Sequence, residues 1–322
     1  QPRPDVTLLS IFATAILPIV AIAGVGVVLG RLTDVDPGPL NTVTLYVLVP
    51  ALIFHSLATT TLSGGSLVAI VAGVVAYHAL MLLLAEGVGR LLGETDPLLA
   101  AIVLTATFSN SGNYGIPVSE FAFGTAGRST AVLYLSVQSV LTYSLAVYVA
   151  SRGGGAGGLA GVRRVLRQPL VYAVVAALAV RAAGVVPPTE STAMQTFELV
   201  GEAAIPILLL MLGVQLARTN YGSALAKVGV PTVLKLAVAP VVAVGIAVAI
   251  GFDRPTVGRV FVLESAMPSA ITPLVLLTEF ADVEVEGVSI PEYVSTVVLV
   301  TTLLSVPLLT GLIALLQSGA VI

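Results

Sequence analysis

The strongest constraint on this chain is a succession of apolar runs, each long enough to cross a bilayer, separated by short polar breaks. A spanning helix needs roughly 20 apolar residues. Runs of that length fall at about 7–30, 39–61, 67–92, 97–124 and 126–150, and again at about 169–186, 195–217, 229–251, 258–280 and 292–317. The breaks carry turn chemistry: Asp34-Val35-Asp36-Pro37-Gly38-Pro39, Ser63-Gly64-Gly65, Gly93-Glu94-Thr95-Asp96-Pro97, Pro187-Pro188 and Gly251-Phe252-Asp253-Arg254-Pro255. The chain is 57% apolar and only 10% charged, where soluble domains are near a quarter charged. The expectation is an all-α membrane protein of ten transmembrane helices in the lipid bilayer. The first run has only Arg3 before it and is long enough to span, so it reads as helix 1 and not as a signal peptide.

The net charge of −3 comes without a basic tract, so nucleic acid is not an expected partner. Zero Cys excludes disulfides and thiolate chemistry, and two His argue against a multi-histidine metal site. The longest break, Ser151 to Gln168, is Gly-rich and carries Arg152, Arg163, Arg164 and Arg167. A basic, flexible segment between two sets of five spans reads as a cytoplasmic linker, which puts both termini outside the cell membrane. On that choice Arg31, Arg90, the four linker arginines, Arg218 and Lys227 lie inside, and Arg3, Arg128, Arg181, Arg254 and Arg259 outside.

The halves 1–150 and 169–322 repeat. Leu48-Val49-Pro50-Ala51-Leu52-Ile53 in span 2 stands against Ala204-Ile205-Pro206-Ile207-Leu208-Leu209 in span 7, an offset of 156 residues. The same offset carries Pro117 in span 4 onto Pro273 in span 9. A repeat with an odd number of spans enters the membrane from opposite sides, so these are two inverted five-helix repeats, an architecture secondary transporters use.

Spans 4 and 9 are interrupted at mid-depth. Span 4 reads Ser109-Asn110-Ser111-Gly112-Asn113-Tyr114-Gly115-Ile116-Pro117, and span 9 reads Glu264-Ser265-Ala266-Met267-Pro268-Ser269-Ala270-Ile271-Thr272-Pro273. Such composition does not propagate a helix, and non-helical backbone at that depth must be buried in protein or line a wet cavity. A half-helix N-terminus suits a carboxylate, and freed carbonyls suit a cation. Asn110, Ser111, Asn113, Tyr114, Pro117, Pro268, Ser269 and Pro273 are therefore the candidate substrate-binding residues. Ordinary proline kinks are the plainer alternative, stronger for span 9.

These motifs, with Leu45-Tyr46-Val47-Leu48-Val49-Pro50-Ala51-Leu52-Ile53-Phe54, Ala203-Ala204-Ile205-Pro206 and Leu212-Gly213, resemble the auxin efflux carrier (PIN-like) family, within the superfamily of bile-acid, arsenite and riboflavin transporters. The resemblance covers nearly the whole chain. It implies crossing broken helices 4 and 9 in the fold of bile-acid symporters, a scaffold of spans 1, 2, 6 and 7 with Pro50 and Pro206 shaping it, and a transport domain of spans 3–5 and 8–10. Its members export auxin or move small carboxylates such as malate and malonate. Two departures point to a prokaryotic member: the linker is short, and the Asn-Pro-Asn pattern common at the span-4 crossover of plant carriers is absent.

Three ionisable residues inside spans are candidates for coupling to H⁺ or Na⁺: Glu264, Lys235 and His78. Glu264-x-x-Met267 resembles the sodium-binding crossover of bile-acid symporters, so Na⁺ near Glu264 and Met267 is one expectation. Pro268-Ser269 stands where that motif has Gln-Asn. Lys235 reads either as snorkelling to the interface or as a buried counter-charge. His78, like His55, reads either as a hydrogen-bonded core histidine or as a titrating group. Polar sets at Ser136, Gln138, Ser139 and Thr142 in span 5, and at Ser295, Thr296, Thr301, Thr302 and Ser305 in span 10, either line the cavity or make helix contacts.

The expectation is a secondary transporter of a small organic anion, working by elevator-type alternating access, with no cofactor and a homodimeric assembly. A sodium-coupled symporter of bile-acid type is the nearest alternative. An intramembrane hydrolase is the remote one, because no Gly-x-Ser-Gly, Gly-x-Gly-Asp or His-Glu-x-x-His motif organises the Ser, His and Glu residues. The chain is thus not expected to be an enzyme.

Overall fold

A computed structural model describes residues 12–33, 36–60, 62–150, 169–217, 223–280, 284–285 and 287–322. The expected linker, 151–168, lies outside the described residues, as does Arg218. The helices are α1 (Leu17–Leu32), α2 (Pro37–Val43), α3 (Val49–Ala58), α4 (Gly64–Leu91), α5 (Leu98–Thr107), α6 (Ile116–Leu141), α7 (Val147–Ala150) and α8 (Pro169–Ala182). Then come α9 (Thr192–Glu202), α10 (Ala204–Ala217), α11 (Gly229–Val233), α12 (Ala239–Ile250), α13 (Pro255–Ser265), α14 (Thr272–Phe280) and α15 (Ile290–Ser318). A two-stranded antiparallel hairpin, β1 (Glu284–Val285) and β2 (Val288–Ser289), precedes α15.

Helix occupies every one of the ten expected spans, and the protein is an all-α membrane protein. Six continuous runs among the described residues are long and apolar enough to cross a membrane unaided: Gly38–Ala58, Gly64–Leu91, Ser111–Ala150, Thr192–Ala217, Gly229–Ile250 and Ile290–Ser318. The difference from ten has physical causes. Breaks cut α5 from α6 and α13 from α14, while α1 and α8 are short. The run 111–150 is 40 residues, or about 60 Å, twice the ~30 Å hydrocarbon core. It bends at Gly124, whose φ of 64° and ψ of −153° only glycine adopts comfortably.

The prolines explain an unusual backbone feature. Five-residue π-turns occupy Phe12–Ile16, Thr44–Leu48, Ser111–Gly115 and Leu234–Val238, and each ends two residues before a proline: Pro18, Pro50, Pro117 and Pro240. Proline offers no N–H to the carbonyl four residues back, and its ring crowds that carbonyl. Winding one more residue into the turn relieves both problems and keeps the helix going. A fifth π-turn, Thr142–Ala146, has no proline after it, and nothing in its contacts explains it.

The helices pair off. Helix α1 packs along α10, and α8 and α9 pack on α3. Elsewhere α4 packs on α5, α12 on both α4 and α13, and α13 on α6. Backbone approach is very close between α1 and α10. A side chain at Gly213 would run into the Ala23 carbonyl oxygen, and one at Gly26 into that of Leu210. Small residues allow such contact where lipid supplies no hydrophobic drive for association. Gly213→Leu is expected to lower the melting temperature of purified protein by about 5 °C or more. A melting curve like that of the unaltered protein would show that α1 and α10 do not need this contact. The α12–α13 loop is tied to the start of α4, where Ser66 and Ser63 donate to Asp253 at 2.7 and 3.0 Å. These bonds hold the exposed Asp253 carboxyl below its usual range.

Candidate functional site

Helices α5 and α13 stop at Thr107 and Ser265; the chain is extended over Phe108–Asn110 after the first and, past a turn at Ala266-Met267, over Pro268–Ala270 after the second. The two extended pieces cross antiparallel. The Asn110 N–H donates to the Pro268 carbonyl at 2.8 Å and the Ala270 N–H to the Phe108 carbonyl at 2.9 Å, around a bridge between Ser109 and Ser269. Phe108, Ser109 and Asn110 thus pair with Ala270, Ser269 and Pro268, and the central bridge joins residues 160 positions apart. That register is one helical turn longer than the 156 of the prolines. The π-turn Ser111–Gly115 precedes Pro117, whereas α14 begins one residue before Pro273.

Several backbone groups freed by the breaks find new partners, as burial requires. In a continuous helix the Ser265 carbonyl would accept from the Ser269 N–H, which instead donates to Thr301 Oγ1 at 3.2 Å. The Ser265 carbonyl collects Tyr77 Oη at 2.9 Å, Lys235 Nζ at 3.1 Å and Ser109 Oγ at 3.2 Å. The Thr105 carbonyl accepts from Ser269 Oγ at 2.7 Å, and the Ser109 carbonyl from Gln138 Nε2 at 2.8 Å.

Lys235 lies in the π-turn before Pro240 and is fully buried. Its ammonium donates to Ser109 Oγ at 2.7 Å and Tyr77 Oη at 3.0 Å besides the Ser265 carbonyl. The side chain therefore ends at the crossing, and the snorkelling reading does not hold. Glu264 is also fully buried. Its Oε1 accepts from Ser119 Oγ at 2.6 Å, Ser111 lies beside it, and its Oε2 has no partner and lies against Gly115. Met267 is buried beside it and donates its N–H to the Glu264 carbonyl at 3.3 Å. Lys235 and Glu264 form no ion pair. His78 stacks among Tyr77, Phe108 and Tyr134, with Nδ1 2.8 Å from the Val74 carbonyl of its own helix.

A cavity of about 140 Å³ adjoins the crossing. Its polar wall is Ser109, Asn110, Ser111, Asn113, Gln138, Ser139, Thr142 and Thr272, and its apolar wall includes Leu45, Val49, Leu170 and Leu208. Leu170 is one residue into α8 and Thr142 is near the end of the run 111–150, so the cavity lies on the linker side of the crossing. Two half-helix N-termini reach it: Asn110 to Asn113 open the helical run into α6, and Ala270 to Thr272 open α14. The Tyr114 and Gly115 N–H groups both return to the Asn110 carbonyl, and the Gly112 and Asn113 N–H groups find no backbone acceptor among the described residues. Asn110 is 94% buried, and its side-chain Nδ2 has no partner among the described residues. Among the described residues no charged side chain lines the cavity, but Lys235 stands behind Ser109.

Of the eight expected substrate-binding residues, the structure puts Asn110, Ser111 and Asn113 on the cavity wall. The other five shape the crossing. Tyr114 turns to Ser305, Pro117 follows the π-turn, Pro268 supplies the paired carbonyl, Ser269 ties down Thr105, and Pro273 is buried in the first turn of α14. Three of the four polar residues of span 5 line the cavity and none of the span-10 set does. Ser109 and Thr272 are wall residues missing from the expected set. Both stand in the two break motifs, which was the available signal. Pro50 follows the π-turn that leads into α3, and Pro206 is the third residue of α10, after the interruption at Ala203.

On the opposite side of the crossing lies Arg128, which the charge count placed among the outside residues. Arg128 is 93% buried and pairs with Glu120 at 3.2 Å and, on α9, with Glu202 at 3.9 Å. It belongs to the inside of the bundle and not to a loop, because the bend at Gly124 folds its helix back onto α3. There Ser129 Oγ reaches the Ser56 carbonyl at 3.5 Å.

A paired crossing of broken helices, with N-termini facing a polar cavity, is transporter architecture. The family model described as "Membrane transport protein" matches residues 11–156 and 159–313. An "uncharacterized transporter" of Methanothermobacter thermautotrophicus is 31% identical over 304 residues, 91% of this chain and 95% of that protein. A protein of Rhizobium meliloti, named as a proposed malonate transporter, is 24% identical over 318 residues, 95% of this chain and 96% of its own. The chain therefore belongs to the membrane transport protein family, that of the PIN-like auxin efflux carriers, as a member with prokaryotic relatives.

Proposed function

We propose that the protein is a secondary carrier of a small organic anion, a short mono- or dicarboxylate, bound in the cavity at the crossing and moved by alternating access. One observation carries this reading: two half-helix N-termini and the Asn110 Nδ2, unpartnered among the described residues, face a cavity whose described wall has no acidic side chain. Aligned N–H groups and the positive dipole end favour a carboxylate. The volume is below the ~300–1,000 Å³ of pockets for drug-sized ligands, which favours a substrate of few atoms. Malonate transport by the Rhizobium relative's name is in keeping with this size.

The helix pairing supports ten spans in two inverted repeats, because span 1 against span 7 and span 6 against span 2 are equivalent contacts under the exchange. Spans 1, 2, 6 and 7 would form the scaffold, and the crossing would travel with spans 3–5 and 8–10 as an elevator. The basic linker favours a cytoplasmic cavity in this conformation. Sodium-coupled symport is the second reading, carried by the buried Glu264 carboxyl beside Ser111.

Purified protein screened by melting temperature against carboxylates, each in Na⁺ or K⁺ at two pH values, is expected to show stabilisation by a short mono- or dicarboxylate. Proteoliposomes should then accumulate that compound in labelled form. No response to any carboxylate in either assay would defeat the reading. Uptake that vanishes without Na⁺ would favour the second.

A further inference from the structure

We propose that Lys235 is the resident cation of the crossing: its ammonium fills the place where a carrier built on broken helices would hold a free monovalent ion. The idea deepens the carrier reading, and rests on it only for what the cation does in transport. Helix α13 presents its negative dipole end at Ser265, and the carbonyl there has lost its helical donor. In transporters with discontinuous helices such ends coordinate a coupling ion. Here the Ser265 carbonyl, Ser109 Oγ and Tyr77 Oη converge on the lysine nitrogen at 3.1, 2.7 and 3.0 Å. All three are neutral oxygens, the type of shell that replaces water around an alkali cation.

With the donors assigned as follows, the hydrogen-bond stoichiometry fits an ammonium. Tyr77 and Ser109 both direct their hydroxyl protons to the Ser265 carbonyl, so each has only lone pairs to offer Nζ. The three contacts then need three N–H donors, the number an ammonium has. The Tyr77 ring adds a cation–π contact at 5.5 Å. Among the described residues no carboxylate lies within 4.0 Å of the charge, and its compensation there is carbonyl, hydroxyl and dipole. Ser109 is both a ligand of the ammonium and a residue of the cavity wall. The positive field felt by an anion is therefore built in, and no ion from solution is needed to complete it.

Shortening Lys235 should leave a cation-sized hole lined by three oxygens. The test compares wild type, Lys235→Ala and Lys235→Met in choline chloride, with NaCl, KCl or methylammonium chloride substituted at constant ionic strength. Wild-type melting should move by under about 1 °C among these salts. Lys235→Ala should melt lower in choline and regain roughly 3 °C or more with at least one small cation. Lys235→Met, which fills the space without charge, should stay low in all of them. If Lys235→Ala cannot be recovered from choline, its recovery in one small cation alone supports the proposal, and recovery in none overturns it. Stabilisation of wild type by Na⁺ over choline overturns it too, as does a Lys235→Ala that ignores every cation.

In proteoliposomes, wild-type carboxylate uptake should be indifferent to Na⁺, while uptake by Lys235→Ala should require a small cation. These melting curves need no substrate. A wild type that responds to no carboxylate would therefore defeat the carrier reading and leave the cation result to stand or fall by itself.

Discussion

Gly115→Ala is expected to abolish transport and to lower the melting temperature by several degrees, and to do far less in a Glu264→Ala background. A methyl group at residue 115 would be driven into the Glu264 carboxyl group. The carboxyl cannot retreat, because Ser119 holds it at 2.6 Å and the surroundings are fully buried. Overpacking of this kind costs about 1–3 kcal/mol, and here it would also push α6 away from α13 at the crossing. Removing the carboxyl in the Glu264→Ala background makes room for the methyl group. The two substitutions should therefore couple by roughly 1–3 kcal/mol in a double-mutant cycle on melting. Simple additivity would mean that the carboxyl does not press on Gly115, and would weaken its assignment to the first turn after the span-4 break. Glu264→Gln keeps the volume. It should fold normally and reveal through altered pH or cation dependence of uptake whether the carboxyl takes part in coupling; unchanged dependence would leave it a structural acid.

The second large effect is expected at Asn110. Its backbone N–H is committed to Pro268, while its side-chain amide is buried, unpartnered and on the cavity wall. A hydrogen bond from it to a charged carboxylate would contribute about 1.5–3 kcal/mol, or roughly 10–150-fold in affinity. Asn110→Ala should weaken carboxylate binding by that factor, read as a displaced midpoint in ligand-dependent melting or as a raised KM for uptake. The unliganded melting temperature should scarcely move, because the backbone pairing survives and no internal hydrogen bond is lost. Equal affinity in the variant would remove Asn110 from the binding site. An unliganded protein melting several degrees lower would instead make it a structural residue.

The breaks themselves were legible because glycine, asparagine, serine and proline cannot cluster inside a span without a reason, and both clusters mark the crossing. Asn110, Ser111 and Asn113 followed from them directly. Orientation within the breaks did not. Helical or strand periodicity assigns a face to a residue, and neither applies to Phe108–Asn110 or Ala266–Ile271. Ser269, expected beside the substrate, turns to Thr105, and Tyr114 in the π-turn turns to Ser305. The reach of Lys235 was equally hidden, since depth in a span does not say which way a long side chain runs. Arg128 was read as a loop residue because two apolar runs meet near it, and only the bend at Gly124 turns it inward.

The π-turns before Pro18, Pro50, Pro117 and Pro240 each amount to one residue inserted into an otherwise regular helix. Deleting that residue would restore the ordinary winding and rotate everything on one side of the deletion by about 100° relative to the other. In the run 234–250, the deletion would carry Lys235 away from the crossing or swing the Ala239, Ala243 and Ala247 stripe out of the bundle. Length at these four places is consequently as constrained as chemistry. Alleles of this protein should tolerate many substitutions among the leucines and valines of those turns, and no single-residue insertion or deletion.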